Sequence, residues 1–403
     1  MAKKKIFNDP VYGFISFQHE ILYDLIEHRY FQRLRRITQL GLTHLVYPGA
    51  LHTRFQHALG TLHLMTEAIS SLREKGISIT EEEAEAVCIA ILLHDIGHGP
   101  YSHALEHSII NVRHELLSSM FMQKLNEEFD GKLDLAIKIF KGKYTKAFLH
   151  ELVSSQLDMD RMDYLIRDSY FTGVAEGVIG YDRIIKMLNV VDDHLVVEEK
   201  GIYSVEKFLV ARRLMYWQVY LHKTVLSAEQ MLIAILKRAK KLINLNVKVL
   251  CSKSLEELLK LDFSLMDNKL IYNKYIPIFA TLDDLDILMM IKENIGHSDF
   301  IFSYMCQSLL ERKLFKVYLH DNKTTKEEFE QIVDSTKKLL GKNSEFTKQL
   351  ILQGSESNQT YHSNKEEIRI LQKNKEVHFL SEMDTEFLKS KNVTRYFICY
   401  PKK

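Results

Sequence analysis

Residues 92–103 read Leu92-Leu93-His94-Asp95-Ile96-Gly97-His98-Gly99-Pro100-Tyr101-Ser102-His103 and follow an apolar run that begins at Ala84. The run has the three- and four-residue spacing of a buried helix, so the His94–Asp95 pair lies at the end of a rigid, desolvated element. Burying a histidine and an aspartate is costly unless they are hydrogen-bonded or bound to a cation. For an isolated His-Asp dipeptide the hydrogen-bonded interpretation is the more frequent one, so the rest of the chain must decide between the two.

Two other segments favour binding of a cation by the His94–Asp95 pair over hydrogen bonding alone. Upstream lies Arg54-Phe55-Gln56-His57-Ala58-Leu59-Gly60, and downstream lies Leu157-Asp158-Met159-Asp160-Arg161-Met162-Asp163-Tyr164. One histidine, a His-Asp pair and a distant aspartate provide two nitrogen and two oxygen ligands from three predicted helices. A mixed set of this kind suits divalent transition metals.

Composition limits the class of protein. The chain has 403 residues, a net charge of +1, 46% hydrophobic and 27% charged residues. These values are typical of a folded globular protein with no overall attraction to nucleic acid or anionic membranes, so nucleic-acid binding is not expected. The four cysteines have no CxxC spacing, which argues against a zinc ribbon or a disulfide framework and predicts a cytoplasmic location. No signal-like segment and no apolar run of about 18 residues occurs, so no membrane association is expected.

The apolar pattern predicts a mainly α-helical fold with a small β-hairpin and a C-terminal α+β subdomain. Helical periodicity covers roughly residues 18–28, 30–40, 55–75, 81–95, 113–129, 145–168, 204–222 and 226–246. Two β-branched runs flank Asp192-Asp193, which predicts a hairpin. Strand-like segments begin near residues 314, 367, 376 and 394, whereas the polar stretch 354–360 favours an exposed loop. The predicted division is a helical domain, residues 1–311, and a small subdomain, residues 312–403.

The ordered motifs resemble those of the HD superfamily of metal phosphohydrolases. They are especially similar to its deoxynucleoside triphosphate triphosphohydrolase branch, which includes the sterile-alpha-motif-and-HD-domain protein and shorter bacterial relatives. The likeness covers about residues 6–310 in order. It implies a helical HD fold and assigns His57, His94, Asp95 and Asp160 as metal ligands. The implied cofactor is a divalent transition metal (Fe, Mn, Ni or Zn), with Mg accompanying the substrate phosphates.

Histidines near the HD motif are candidates for proton transfer. The resemblance suggests His103 as the general acid toward the departing 5′-oxygen, oriented by Glu106 three residues later. The family usually has an aspartate where Glu106 stands, so the charge is retained on a longer side chain. His98 and His114 are further candidates for proton transfer or phosphate contact.

A triphosphate carries about four negative charges, so a near-neutral protein needs a local cluster of cations to bind it. The resemblance implies phosphate contacts from Arg54, Arg161 and Arg212, although the family has a lysine where Arg161 stands. It also implies residues that border the sugar and base: Gln39, Leu40, Tyr164, Asp168 and Tyr220. Closure of Leu40 and Tyr220 over C2′ would disfavour a 2′-hydroxyl, which predicts a preference for deoxyribose. The expected products are a deoxynucleoside and inorganic triphosphate.

A second nucleotide site is also implied, because relatives in this branch assemble as dimers or tetramers and bind an activating nucleotide between subunits. Partial matches occur at Glu27, Gln32, Arg35 and Lys223, with Glu27 where the family usually has an aspartate. The resemblance therefore predicts a homo-oligomer and nucleotide activation. A charged surface helix that uses its arginines for solubility explains the same residues nearly as well.

Two other functions fit the sequence. One is an HD-type phosphohydrolase or phosphodiesterase for a different nucleotide, such as a monophosphate, a cyclic dinucleotide or an alarmone, although that substrate would not need Arg212 and Tyr220. The other is a nucleotide- or single-strand-binding regulator with a residual metal site, against which stands the presence of all four candidate ligands. Hydrolysis of deoxynucleoside triphosphates (dNTPs) is the leading prediction.

Overall fold

A computed structural model describes residues 5–102, 106, 112–262, 266–358, 367–383 and 393–402. The fold is mainly α-helical with small sheets, which confirms the predicted class. Among the helices of these residues, none combines the length and the apolar character that a membrane span requires.

The helices carry the labels used below. In chain order they are α1 (Glu20–Glu27), α2 (Arg29–Gln32), α3 (Arg54–Glu74), α4 (Glu81–Leu93), α5 (His114–Glu128), α6 (Asp134–Phe140), α7 (Ala147–Val153), α8 (Met159–Thr172), α9 (Tyr181–Met187), α10 (Ile202–Met215), α11 (Lys223–Asn244), α12 (Lys253–Leu259), α13 (Asn268–Leu270), α14 (Ile276–Phe279), α15 (Asp284–Glu293), α16 (Phe300–Leu310), α17 (Lys326–Leu340) and α18 (Ser344–Lys348). A π-helical segment, Tyr216–Tyr220, continues α10.

Two predicted helices are shorter than expected. The one predicted over residues 30–40 ends in a 3-10 turn, Arg33–Arg36, and the chain is irregular or turn-like from there to α3. The one predicted over residues 145–168 is two helices, α7 and α8. Its break arises because the Asp158 side chain accepts a hydrogen bond from the Arg161 backbone N–H and so caps a new helix start.

The strands form three small sheets. They are β1 (Phe7–Asp9), β2 (Gly13–Ile15), β3 (Leu188–Val191), β4 (His194–Glu198), β5 (Lys316–His320), β6 (Leu352–Asn358), β7 (Arg369–Leu371), β8 (Val377–Phe379) and β9 (Val393–Tyr400). Strands β1 and β2 pair with each other, and the other two sheets have the orders β3-β4-β7-β8 and β5-β9-β6. The predicted hairpin is β3-β4, and both turn residues, Asp192 and Asp193, have the positive φ that a tight hairpin needs.

The C-terminal strands contact the helical part of the chain at two places. Strand β7 pairs in parallel with β4, so strand pairing crosses the predicted boundary at residue 312. Strand β6 pairs antiparallel with β9 along its whole length, so the expectation of an exposed loop over residues 354–360 is wrong up to residue 358. Gly354 lies among the polar residues of β6, and the Phe397 ring of β9 occupies the space that a Cβ at residue 354 would need. A composition typical of a loop therefore belongs to a strand.

Three packed helices carry the motifs and bring them to one place. Helix α3 packs against α4 and α8. Each helix has a defined end: Thr53 and Asp158 lie at the N-caps of α3 and α8, and α4 ends with His94 at its C-cap. His57, His94 and Asp160 consequently lie within about one turn of a helix end, where a side chain can face a neighbouring helix.

Gly60 allows α3 and α8 to approach closely. A Cβ at this position would lie 2.0 Å from Asp163 Oδ1 and 2.2 Å from Arg167 Nη2. Those two residues form a buried ion pair, and the Arg167 guanidinium also binds Asp9 of β1 at 2.8 Å. The absence of a side chain at residue 60 thus makes room for a charge network that joins the N-terminal strand to α8.

We expect the substitution Gly60→Ala to lower the free energy of unfolding by about 2–4 kcal/mol, because the new methyl group must displace the buried ion pair. Alanine is the better helix former by about 1 kcal/mol, so helix propensity alone predicts the opposite sign. Urea unfolding followed by circular dichroism measures the difference. Gly180→Ala is the matched control, since no heavy atom lies within 4 Å of its Cβ position and its φ is −87°. A Gly60→Ala variant as stable as the parent protein would contradict this account.

Candidate metal centre and substrate pocket

The four residues that the motifs assign as metal ligands lie together in the fold. His57 Nε2 is 3.1 Å from Asp160 Oδ1, and His94 Nε2 is 3.5 Å from the same oxygen. Asp95 approaches both rings, at 3.6 Å from His57 Nε2 and 3.5 Å from His94 Nε2. Side chains from residues 57, 94–95 and 160 therefore converge although they are far apart in the sequence.

Both imidazole rings are oriented by hydrogen bonds through their other nitrogen. His94 Nδ1 is 2.6 Å from the Ile91 carbonyl oxygen, which can only accept, so Nδ1 carries the proton. His57 Nδ1 donates in the same way to Asp163 Oδ2 at 2.7 Å. The Nε2 atoms of both rings are buried and form no hydrogen bond within the described part of the chain. When they are neutral, rings held this way can present two Nε2 lone pairs to one cation, as in metal-binding histidines.

The electrostatics of the cluster favour a cation. Burial lowers the pKa of His57, but the Asp160 and Asp163 carboxylates outweigh it and raise that pKa to about 10. The pKa of His94 is also raised against the effect of burial, by Asp95 and Asp160. The site thus attracts positive charge that protons or a metal ion can supply. His57, His94 and Asp160 form a group of nitrogen and oxygen donors that could hold a divalent metal.

Asp95 differs from the other three because it also contacts neighbouring cationic or polar groups. Its Oδ2 accepts a hydrogen bond from Arg54 Nη1, and its Oδ1 lies 3.3 Å from His98 Nε2. Burial raises the pKa of Asp95, but the surrounding charges of His94 and Arg54 hold that pKa well below its ordinary value. Asp95 is therefore an anion that links the predicted metal ligands to the arginine expected to bind phosphate.

The predicted proton-transfer residues form a second histidine cluster beside Asp95. The rings of His98 and His114 stack with centroids 4.0 Å apart. Burial and the Arg54 charge push the pKa of His98 well below its ordinary value, so this ring is neutral. His114 Nδ1 lies 3.1 Å from Glu106 Oε2, and this contact helps to raise the pKa of His114 despite its burial. His103, the predicted general acid, lies outside the described residues.

A cavity of about 480 Å³ opens beside this cluster. All but one of the predicted substrate residues line it, namely Gln39, Leu40, Arg54, Tyr164, Asp168, Arg212 and Tyr220. The exception is Arg161, whose guanidinium pairs with Asp158. The sequence motifs therefore converge on one pocket, with Arg161 in contact with the helix cap instead.

Polar groups in the pocket wall are held by few contacts. The Asp168 carboxylate accepts hydrogen bonds from the Tyr220 hydroxyl at 2.6 Å and from His52 Nε2 at 2.8 Å. Arg212 Nη1 donates to Gln156 Oε1 at 3.2 Å. The amide oxygen of Gln39 is buried and has no hydrogen-bond partner among the residues that the structure describes. A bound ligand with a hydroxyl group could satisfy that amide.

Some residues of the site were not assigned a role from the sequence. Asp163 orients His57 from the position three residues after Asp160, one turn along the same helix, and that spacing was the available signal. His52 contacts Asp168 across a separation of 116 residues, which no local pattern reveals. Glu229 of α11 also lines the pocket, and no pattern in the sequence indicated this position.

None of the residues assigned to a second nucleotide site lines the pocket. Glu27 pairs with Lys5 at 2.7 Å on the surface. Arg35 Nε donates to Gln32 Oε1 at 2.9 Å. Lys223 is exposed at the first position of α11. Glu27, Gln32 and Arg35 lie within or just after α1 and α2, whereas Lys223 is on a separate helix.

Comparison with known proteins gives consistent matches. The HD domain family matches residues 54–168, and the HD associated region matches residues 179–261. The uncharacterized protein YwfO of Bacillus subtilis is 34% identical over 323 residues, which cover 78% of this chain and 72% of that protein. A deoxynucleoside triphosphate triphosphohydrolase SAMHD1 homolog of Dictyostelium discoideum is 33% identical over 248 residues, which span 48% of its length.

A solved structure provides the most extensive of these likenesses. The crystal structure of a phosphohydrolase from Bacteroides thetaiotaomicron is 46% identical, with a TM-score of 0.93 over 99% of this chain and 100% of that one. This agreement over the whole fold, together with the matched HD regions and the converging histidine and aspartate side chains, shows that the chain belongs to the HD superfamily of phosphohydrolases.

Proposed function

We propose that this phosphohydrolase cleaves dNTPs into a deoxynucleoside and inorganic triphosphate. The proposal rests on two neighbouring features. Two oriented imidazole rings have Nε2 atoms without a hydrogen bond among the described residues, and the adjacent cavity is lined by Arg54 and Arg212. The first feature suits a divalent cation, and the second suits the charge of a triphosphate. The choice of substrate is supported by the likeness to the Dictyostelium discoideum SAMHD1 homolog, whose name is that of a deoxynucleoside triphosphate triphosphohydrolase.

The proposed metal ligands are His57, His94, Asp95 and Asp160. Iron, manganese, nickel or zinc suits this donor set, and magnesium suits the substrate phosphates. When bound, the metal supplies Lewis-acid activation of water and neutralises charge that develops on phosphorus. Asp163 and the Ile91 carbonyl keep the two rings in the required tautomer.

The side chains of the pocket would hold the triphosphate and the sugar. Arg212 is free to rotate from Gln156 toward phosphate oxygens, and Arg54 can bridge a phosphate and Asp95. Gln39 offers its buried amide to a sugar hydroxyl, beside Asp168. Leu40 and Tyr220 would close over C2′, where an additional hydroxyl would lack a partner.

Departure of the 5′-oxygen requires a proton. His103 remains the proposed general acid on the basis of its motif. The His114–Glu106 pair can hold a proton close to that segment, because the carboxylate stabilises the charged ring. His98 is neutral and lies between this pair and Asp95, where it can accept or relay a hydrogen bond.

Activation by a second nucleotide and assembly into dimers or tetramers are part of the proposal. Glu27, Gln32, Arg35 and Lys223 would bind the activator at a separate site, since none of them lines the pocket. A second subunit would bring Lys223 of one copy to α1 and α2 of another. Rates measured with mixed dNTPs that exceed the sum of the single rates would reveal such activation.

We expect Asp160→Asn to lose the bound metal and to reduce turnover by at least about 100-fold, because the substitution removes the charge that both imidazoles face. Metal content is measured by mass spectrometry of the purified protein, and circular dichroism reports whether the variant is folded. Asp182→Asn, at an exposed position of α9, is the matched control. Full metal content and full activity in Asp160→Asn would exclude this residue as a ligand.

We expect the purified protein to release inorganic triphosphate from dNTPs, and to cleave dATP at least about 10-fold faster than ATP, because of the crowding at C2′. Reaction in oxygen-18 water locates the cleaved bond. Label in a nucleoside monophosphate product would show the other cleavage and would contradict the proposal, as would equal rates for ATP and dATP.

A further inference from the structure

Basic and acidic side chains both line the cavity described above. Arg54 and Arg212 are basic residues of its lining, and Arg54 contacts Asp95 directly. Glu229 of α11 and Glu356 of β6 also line the cavity. Because the arginines attract phosphate groups, a nucleotide would place its phosphates at Arg54 and Arg212 and leave the glutamates for its uncharged base.

Of these two glutamates, Glu229 is the one whose carboxyl group faces the space that a ligand would occupy. Its side chain is only partly buried, and none of the described residues forms a hydrogen bond or ion pair with it. Its Oε1 lies beside the loop that carries Gln39 and Leu40, 3.9 Å from the position that a Cβ on Gly41 would occupy. Because that loop is the proposed sugar contact, Glu229 lies where the base would extend.

We infer that Glu229 forms hydrogen bonds with the edge of a purine base bound in this cavity. This inference rests on the proposed nucleotide specificity. A carboxylic acid has one donor and one acceptor, and the proton can occupy either oxygen. It can therefore form two hydrogen bonds with the N1 and N6 groups of adenine or with the O6 and N1 groups of guanine.

The ionised carboxylate discriminates between the same two bases. It has acceptors only, so it fits the N1–H and N2–H donors of guanine, whereas adenine N1 would face it as a second acceptor. Burial and the Glu356 charge raise the pKa of Glu229 to about 8. The acid form therefore predominates at neutral pH, and ionisation occurs within an accessible range.

The other titratable groups that line the cavity come from several elements of the fold. They are Glu356 on β6, Arg212, Tyr216 and Tyr220 on α10 and its continuation, Tyr164 and Asp168 on α8, Arg54 on α3, and Tyr101 in the turn after α4. Of these, Glu356 is the one whose charge acts on the pKa of Glu229. The ratio of two nucleotides of equal size cancels any titration that changes phosphate or metal binding.

The test compares dGTP with dATP at pH 6.5 and pH 8.5, by kcat/KM and by equilibrium binding of their analogues in which a methylene group replaces the 5′-oxygen, so that the scissile bond cannot be hydrolysed. With a pKa of about 8 the acid fraction falls roughly fourfold over this range, so the dGTP-to-dATP ratio should rise about fourfold. Glu229→Gln keeps one donor and one acceptor at every pH, so its ratio should stay constant. Glu229→Ala should weaken both nucleotides about tenfold. Glu327→Gln, at an exposed position of α17, should behave like the parent protein.

The outcomes separate this inference from the proposed function. A pH-dependent ratio in binding, without hydrolysis of either dNTP, would support the reading of the base by Glu229 and overturn the triphosphohydrolase proposal. Hydrolysis with a ratio that does not change with pH, or a change that persists in Glu229→Gln, would overturn the inference alone. Absence of binding by both analogues would overturn both.

Discussion

The orientation of two buried imidazole rings is the constraint on which the rest of the site depends. An imidazole can direct a lone pair to a fixed point only if its other nitrogen is held, and here a backbone carbonyl and a carboxylate do so. The carboxylate, Asp163, is in turn fixed by Arg167, and Arg167 by Asp9 near the N-terminus. A chain of buried charges thus connects the proposed metal centre to the first strand of the fold. The cost of burying these charges is offset because each has an opposite partner.

The sequence was sufficient for the fold class, and the candidate ligands that the motifs assign lie together in the fold. Apolar spacing marks helices, and the HD motif with its two flanking segments marks positions near helix ends. The hairpin was also predictable, since two consecutive aspartates between β-branched runs suit a tight turn with positive φ. The exposed loop over residues 354–360, predicted from composition alone, was wrong up to residue 358. Strand β6 is polar, and it is ordered by pairing with β9, a partner more than 30 residues later in the sequence.

Long-range contacts explain most of what the sequence did not provide in the candidate site. His52 and Glu229 have no motif around them, and their relevance comes from the surfaces against which α8 and α11 pack. Arg161 is a different case, because the resemblance assigned it to phosphate and its guanidinium pairs with the Asp158 cap three residues before it. Local periodicity identifies which face of a helix is buried. It does not identify which of several neighbours a long side chain will choose.

Strand β6 has a broader consequence. It brings a carboxyl group from the C-terminal part of the chain into the wall of a cavity whose arginines come from helices that begin some 150 to 300 residues earlier. The carboxylate that acts on the pKa of Glu229 therefore lies on a different stretch of polypeptide from the proposed metal ligands. Substitutions in the C-terminal strands can alter the charge around Glu229 while the helices that carry the histidines stay unaltered.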